Sequence, residues 1–591
     1  MTRGNAGASR AGVQEAGLGE NRRATGWRSR TSPPVLLLSV VFIFFLLLSV
    51  QVPLAFPASS PASDSASNHL SGYVGNAACA RCHTAIAESY SRTSMAHASG
   101  PATEDLMPAD FTHKKSAVHY RIYSQDGHAW LSFERPGDPA VRGRRELLYY
   151  IGSGRRGRSY LFSTDGFVFE SPVNWYADKQ LWDMAPGYQN ATEIPLNLPA
   201  YTSCLHCHVS GMSPPLQGTE SRYPVPLFTQ NGVNCERCHG PGAEHVAGGP
   251  IVNPAKLSAD RRDEICMQCH LEGKVAIERP GRHAYEFRPG SDLFDYVRYY
   301  VLAGGDQPSL GAVSQVEALA ASVCKKKSGD SMSCTSCHDP HYSPPAAERV
   351  TFYRGKCLAC HGNSFAAKHH PRQPDCTECH MPSQSSADIT HTQVTDHQIP
   401  RIPGRQAILE DLNSRASDPQ LVSFPDPAAA KDDPRDTALA WESLAEAGNE
   451  VAKSKAERLL RDAVAKFPTD PKLLASLAYM EQRRGRTDRA RELYQQALAE
   501  DPNSLDSATN LGVIDATRGE LSSALKLWED AFGRSPSRSS LGMNIAHIYC
   551  AAGKFDDART YTMRVLEFNP DLTAAKQLLQ HLNRGTPSCG P

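Results

Sequence analysis

No sign of charge dominates this chain: 62 Lys and Arg stand against 63 Asp and Glu in 591 residues, a net charge of −1. That balance gives a nucleic acid or any other polyanion nothing to bind, so no nucleic-acid partner is expected. Hydrophobic residues make up 40% and charged residues 21%, ordinary values for a soluble globular protein of two or three domains. Cysteine outside one repeated motif is scarce. Of 17 Cys, only Cys324, Cys550 and Cys589 stand apart. A disulfide framework is therefore excluded, and at most one internal disulfide can form. Cys324 reads as a structural thiol beside a solvated Lys325-Lys326-Lys327 loop, Cys550 as a small buried residue, and Cys589 as part of a loose tail.

The other cysteines form seven CxxCH elements: Cys79-Cys82-His83, Cys204-Cys207-His208, Cys235-Cys238-His239, Cys266-Cys269-His270, Cys334-Cys337-His338, Cys357-Cys360-His361 and Cys376-Cys379-His380. CxxCH is the attachment signature of c-type haem. Two thiols one helical turn apart add to the two vinyl groups of a porphyrin, and the next residue sets an imidazole under the iron. Zinc is the competing reading, because paired CxxC elements also build zinc ribbons. With 22 His in 591 residues, a given position is His about 4% of the time. All seven CxxC elements are nevertheless followed by His, a residue zinc does not require there. Seven covalently attached haem c groups are the expected cofactors.

Long hydrophobic runs are limited to one. Residues 1–33 carry Arg3, Arg10, Arg22, Arg23, Arg28 and Arg30 against Glu15 and Glu20, a basic region expected in the cytoplasm. Residues 34–56 then read as a long signal peptide or an uncleaved membrane anchor, with the balance toward the anchor. Either way the basic flank sends the rest of the chain across the membrane. The protein is expected in the periplasm or on the outer face of the cytoplasmic membrane, and c-haem attachment belongs on that side. Residues 57–70 read as a flexible linker.

Residues 71–405 form the expected heptahaem domain. Six motifs crowd between residues 200 and 400, too few residues to wrap each cofactor in an ordinary core, so the porphyrins themselves are expected to form it. Residues 111–176 read as a small β-rich insertion, with two strands around Asp126-Gly127 and turns at Gly152-Ser153-Gly154 and Asp165-Gly166. Residues 406–435, rich in Pro and Asp, read as a linker. In residues 436–584, Pro468, Pro502, Pro536 and Pro570 recur every 34 residues. So do Gly485, Gly519 and Gly553, and Ala456, Ala490, Ala524 and Ala558. That period belongs to tetratricopeptide repeats. Three repeats are clear (471–504, 505–538, 539–572), with a degenerate repeat before them and a capping helix at 573–584. The fold class expected is mainly α: a haem-packed domain with a β insertion, then an α-solenoid.

Each CxxCH supplies one axial ligand, so the far face of each iron needs a residue from elsewhere. The leading candidates are His245, after the rigid Gly240-Pro241-Gly242 turn, then His341, His391 and His397. His97 follows, with Met95 as the alternative, and so does one of His369 and His370. His113, His119 and His283 are weaker, and His206 lies inside a motif. His245 can reach either the far face of its own haem or a second iron.

The elements CxxCHGPGxxH, CxxCHDPH and CxxCHMP with a distant His-x(5)-His resemble the doubled-CxxCH multihaem cytochromes. That group includes the tetrahaem cytochromes of ammonia oxidation and is related to the pentahaem nitrite reductases. The resemblance implies distal ligation by His245, His341, His391 and His397, and haems stacked in parallel and perpendicular pairs. The added repeats resemble an envelope cytochrome architecture of bacteria.

The expected function is electron transfer. Bis-His iron has no open coordination site, so it passes electrons without binding a substrate, and no catalytic residue is assigned. Expected partners are redox proteins, a protein docked on the repeats, and the membrane if the N-terminal segment stays uncleaved. The alternative is a multihaem reductase of nitrogen or sulfur oxyanions with one open-site haem. The nitrite reductases use CxxCK at that haem, whereas every motif here ends in His. His113, His119, Tyr120 and Tyr123 would be the first residues to examine for such a site.

Overall fold

The computed structural model describes residues 70–303, 310–369, 372–402, 420–426, 433–584 and 588–589. The basic region, the apolar run and most of the 57–70 linker lie outside these, as does His370. Among the described residues no helix is long and apolar enough to cross a membrane.

The β-rich region is larger than its sequence signals suggest. Nine strands run through it: β1 (Ser99–Pro101), β2 (Ala109–His113), β3 (Val118–Gln125), β4 (His128–Arg135), β5 (Asp138–Ile151), β6 (Gly157–Thr164), β7 (Phe167–Glu170), β8 (Val173–Tyr176) and β9 (Leu181–Met184). They form one antiparallel sheet in the order β2-β3-β4-β5-β6-β8-β9, with β1 on β5 and β7 on β6. β2 and β9 approach each other, so the sheet curls toward a barrel. Asp126-Gly127 and Asp165-Gly166 both hold positive φ, as tight hairpin turns between twisted strands require. Alternate residues point inward: Val118, Tyr120 and Ile122 of β3 pack with Ala129, Leu131 and Phe133 of β4. The fold is thus a β-rich sheet joined to helical regions, and the mainly α expectation holds only for the C-terminal part.

The haem-motif region after the sheet consists of short helices and loops. Its longer helices, Ala259–His270 and Ala346–Lys368, carry the fourth and sixth motifs. Residues 406–435 hold more than a linker, since Gln420–Phe424 is a strand paired with Val297–Ala303.

From Pro434 onward, four helix pairs and a final helix stack in series: Pro434–Glu446 with Glu450–Lys466, Pro471–Arg483 with Thr487–Glu500, Leu505–Thr517 with Leu521–Arg534, Ser539–Ala551 with Phe555–Phe568, then Thr573–Leu582. Side chains of Asp433, Asn449, Asp470 and Ser504 cap helix N-termini by accepting backbone N–H groups. Ala456, Ala490, Ala524 and Ala558 are all fully buried, because a larger residue at that step of the repeat would hold neighbouring helices apart. Cys550 and Cys589 form a disulfide with Cα atoms 5.7 Å apart, so the tail is tied to the last repeat rather than loose.

The solenoid packs against the cytochrome part through its first helix, whose Trp441 and Leu444 share a core with Val275, Tyr300 and Leu421, and through loops and helix ends farther along. At its start, Arg279 bonds Asp436 at 2.5 Å and pairs with Asp433. In the middle, Arg538 meets Glu220 at 2.5 Å, and Arg534 donates to the Gly218 carbonyl at 3.0 Å. At the end, Arg135 donates to the Asp571 carboxylate at 2.6 Å, and Lys576 reaches Asp138 at 3.0 Å. Phe568 packs edge-on against Phe167 and Phe169 inside the core of the nine-stranded sheet. The opposite edge, at Gly485, Gly519 and Gly553, faces open space.

Candidate haem sites

Each motif is wound as one helical turn. The N–H of His83, His239 and His338 bonds the carbonyl of the first Cys of its motif at 2.9, 3.0 and 3.0 Å. An i, i+3 spacing on such a turn puts both thiols on one face. Cys204 is exposed, yet burial by the surrounding protein pushes its thiol up to about 11. Thiols of different motifs also meet. Cys79 lies within hydrogen-bond reach of Cys235, Cys207 of Cys269, Cys266 of Cys334, and Cys357 of Cys376.

Four sequence-predicted distal histidines face the imidazole of a motif. His245 lies opposite His83 with ring centroids 6.3 Å apart, and His341 opposite His239 at 6.0 Å. His397 faces His338 at 6.2 Å, and His369 faces His380 at 6.0 Å. The paired rings are tilted by 16°, 9°, 26° and 32° respectively. Two imidazoles bound at about 2.0 Å on opposite faces of one iron hold their centroids roughly 6 Å apart. These four spacings therefore fit an iron between the rings. In each pair the facing His comes from outside the motif it faces. His245, which follows the third motif, reaches the first motif and not the far side of its own.

The other candidates are placed differently. His391, at φ 58, bonds Asp183 at 2.8 Å and packs on Tyr176. His97 is exposed, with Nε2 2.7 Å from the Ser91 carbonyl oxygen. Neither stacks on a motif imidazole in this arrangement. His113 bonds Ser116, His119 pairs with Asp110, and His283 pairs with Glu278, which raises its pKa. Tyr120 is buried in the sheet core. Among the described residues, no ring stacks across from His208 or His270, and His361 meets Phe365.

One relationship had no sequence signal. The second variable residues of motifs two, three and four, His206, Arg237 and Gln268, bond one another in a closed triangle. Arg237 donates to the His206 carbonyl at 2.8 Å and lies 3.2 Å from its Nδ1. Gln268 donates to the Arg237 carbonyl at 3.2 Å, and His206 Nε2 lies 3.2 Å from the Gln268 carbonyl oxygen. His206 is buried, and burial with the Arg237 charge beside it holds it neutral. It is a structural joint at the centre of three motifs.

Comparison with known proteins bears on the kind of protein this is. Residues 182–240 match the family Cytochrome c554 and c-prime, and residues 471–514 match the Tetratricopeptide repeat family. The chain is a multihaem cytochrome with tetratricopeptide repeats. This multihaem cytochrome is 27% identical over 185 residues to the Multiheme cytochrome MtrA of Shewanella baltica, covering 28% of this chain and 54% of that one. It is 36% identical over 74 residues to the C-type polyheme cytochrome OmcC of Geobacter sulfurreducens, 12% of this chain and 9% of that one. It thus spans about half the length of the first relative and under a tenth of the second. Among solved structures, the Outer Cell Wall Cytochrome OcwA aligns with 78% of this chain and 100% of its own, at 18% identity and a TM-score of 0.37. MamA from Desulfovibrio magneticus RS-1 aligns with 25% of this chain and 84% of its own, at 16% identity and a TM-score of 0.23. The sequence relatives support covalently bound haem c and electron transfer.

Proposed function

We propose that this multihaem cytochrome carries seven haem c groups and relays electrons between them in the bacterial cell envelope, outside the cytoplasmic membrane. The haem supplies a one-electron iron couple when bound. The observation that carries the reading is the set of four imidazole pairs at 6.0–6.3 Å. In this reading His245, His341, His397 and His369 close the open faces above His83, His239, His338 and His380. His97 and His391 remain as ligand candidates for the other motifs after a side-chain rotation.

The source of each facing histidine orders the relay. The third motif lends His245 to the first, the fifth lends His341 to the third, and the segment after the seventh lends His397 to the fifth. The thiol contacts Cys207–Cys269 and Cys266–Cys334 bring the second and fourth motifs into the same body. Neighbouring cofactors held this way form much of the core, as expected for a domain whose folding depends on them. The Cys550–Cys589 disulfide supports an oxidising compartment. Because the loops between repeats are occupied by the cytochrome itself, a protein partner would dock on the free edge at Gly485, Gly519 and Gly553.

The second reading, an oxyanion reductase, is supported by His208 and His270, which lack an opposing imidazole among the described residues. Low-temperature EPR of the oxidised holoprotein decides between the two. Low-spin ferric haem throughout supports the relay. A high-spin signal that shifts on adding nitrite or hydroxylamine overturns it. A pyridine haemochrome titration far below seven haems per chain overturns the count.

A further inference from the structure

The first haem site is built from two segments far apart in sequence, and one side chain joins them. Glu236, the first variable residue of the third motif, is 1% exposed. Its Oε1 accepts the N–H of Val74 and of Gly242, each at 2.8 Å, and its Oε2 accepts the N–H of Gly75 at 2.8 Å. These three donors belong to two helix entries. Gly75 precedes the helix Asn76–Ala80, which holds Cys79 and leads to His83. Gly242 precedes the helix Ala243–Val246, which holds His245. One buried carboxylate thus fixes the start of both elements whose imidazoles face each other at 6.3 Å.

The surroundings leave no slack at this joint. A Cβ on Gly242 would lie 2.9 Å from Val74 Cγ2 and 3.2 Å from Glu236 Oε1. Gly75 sits at φ 79. Two further bonds brace the same contact: Asn76 Oδ1 accepts the Cys235 N–H at 2.9 Å, and Ala243 donates to the Gly72 carbonyl at 2.9 Å. A buried carboxylate accepting three N–H bonds is a strong and directional clamp. An ordinary packing residue would not need both oxygens aimed at the two halves of one ligand pair.

We infer that Glu236 is a positioning residue for the first haem, setting the distance between His83 and His245 through the backbone at Gly75 and Gly242. The inference rests on the reading that His245 ligates the iron held by His83. Glu236→Gln keeps the shape but turns an N–H donor toward an N–H donor, so at least one of the three bonds is lost.

The test compares His245→Ala, Glu236→Gln, Gly242→Ala and the double variant His245→Ala/Glu236→Gln as holoproteins, by low-temperature EPR and haemochrome titration. The expected result for His245→Ala is one haem per chain converted from low to high spin. Glu236→Gln and Gly242→Ala should perturb that same haem at unchanged haem content. The double variant should match His245→Ala, and added imidazole should restore the low-spin signal in each. If His245→Ala leaves every haem low-spin, the ligand assignment falls and the inference with it. If His245→Ala converts one haem while Glu236→Gln leaves that haem unchanged, the ligand stands and the positioning role falls. Loss of more than one haem, or of the folded holoprotein, from both Glu236→Gln and Gly242→Ala also overturns it, because the carboxylate then serves the whole body.

Discussion

The imidazoles of His239 and His341 lie nearly parallel, 9° apart in plane, across a gap of 6.0 Å. His341 follows the fifth motif, yet it faces the third. His338, three residues before it, faces His397 instead.

This arrangement predicts that His341→Ala and His397→Ala disable the distal faces of two different haems. Each variant should convert one haem per chain to high spin, and the double variant two. EPR spin quantitation checks the additivity, and a double variant with only one converted haem would place both histidines on the same iron.

The fastening of the solenoid by Asp571 predicts a loss of stability. Its side chain is 2% exposed and bonds both Arg135 and Lys576. Removing this buried carboxylate leaves Arg135 and Lys576 only the more exposed Asp138 to share, so Asp571→Ala should cost about 2–3 kcal/mol. The check is the chemical denaturation midpoint of the holoprotein. A midpoint unchanged from the parent would show that the Asp571 ion pairs do not fasten the solenoid.

Acid should loosen the same joint. Burial pushes the Asp571 carboxyl up, but hydrogen bonds from Arg135, Lys576 and the Ile194 N–H outweigh that and hold it below its usual range. A carboxyl held low in the folded state stabilises it above the unfolded value of about 3.9, and that contribution is lost as the pH falls through the folded value. The stability difference between parent and Asp571→Asn should therefore shrink from pH 7 to pH 3. A constant difference would assign the effect to shape instead of charge.

Glu442 predicts the opposite slope. Burial, then the neighbouring Glu446 charge, pushes its carboxyl up to about 8. The folded state then holds a proton that the unfolded chain releases above about 4.3, so stability falls between pH 5 and pH 8. Glu442→Gln should raise the stability at pH 8 by about 1 kcal/mol, seen as a higher thermal midpoint, and have little effect at pH 4. Thermal scans at the two pH values measure it.

The Cys550–Cys589 bridge closes a loop with a sequence separation of 39. Cys589→Ser should destabilise the last repeat by about 3–4 kcal/mol in the chain-entropy picture. Limited proteolysis would report it as earlier cleavage near residues 573–584.

The parts of this protein that repeat were legible in its sequence. Seven CxxCH elements and a 34-residue period are local patterns, and each follows from chemistry or packing at fixed spacing. The turn at Gly240-Pro241-Gly242 was legible too, but not its destination, because His83 comes beside His245 only through the path of the intervening sheet. His391 had as good a sequence context as His397, yet a left-handed backbone turns it toward Asp183. Arg135, Glu220 and Arg279 were invisible, since single charged residues carry no period. Parity of the spare cysteines allowed one disulfide, but the burial expected for Cys550 and the looseness expected for Cys589 concealed that they were the pair.

The loops between repeats meet the cytochrome at Arg279, Glu220 and Arg135 in turn. A free solenoid can lengthen or shorten by whole repeats and keep working. This one is measured against a second object at its start, middle and end, so inserting or deleting a single repeat would put at least one fastening out of step. Repeat number here is a dimension of the cytochrome body, set by the span from the Gln420–Phe424 strand to the nine-stranded sheet.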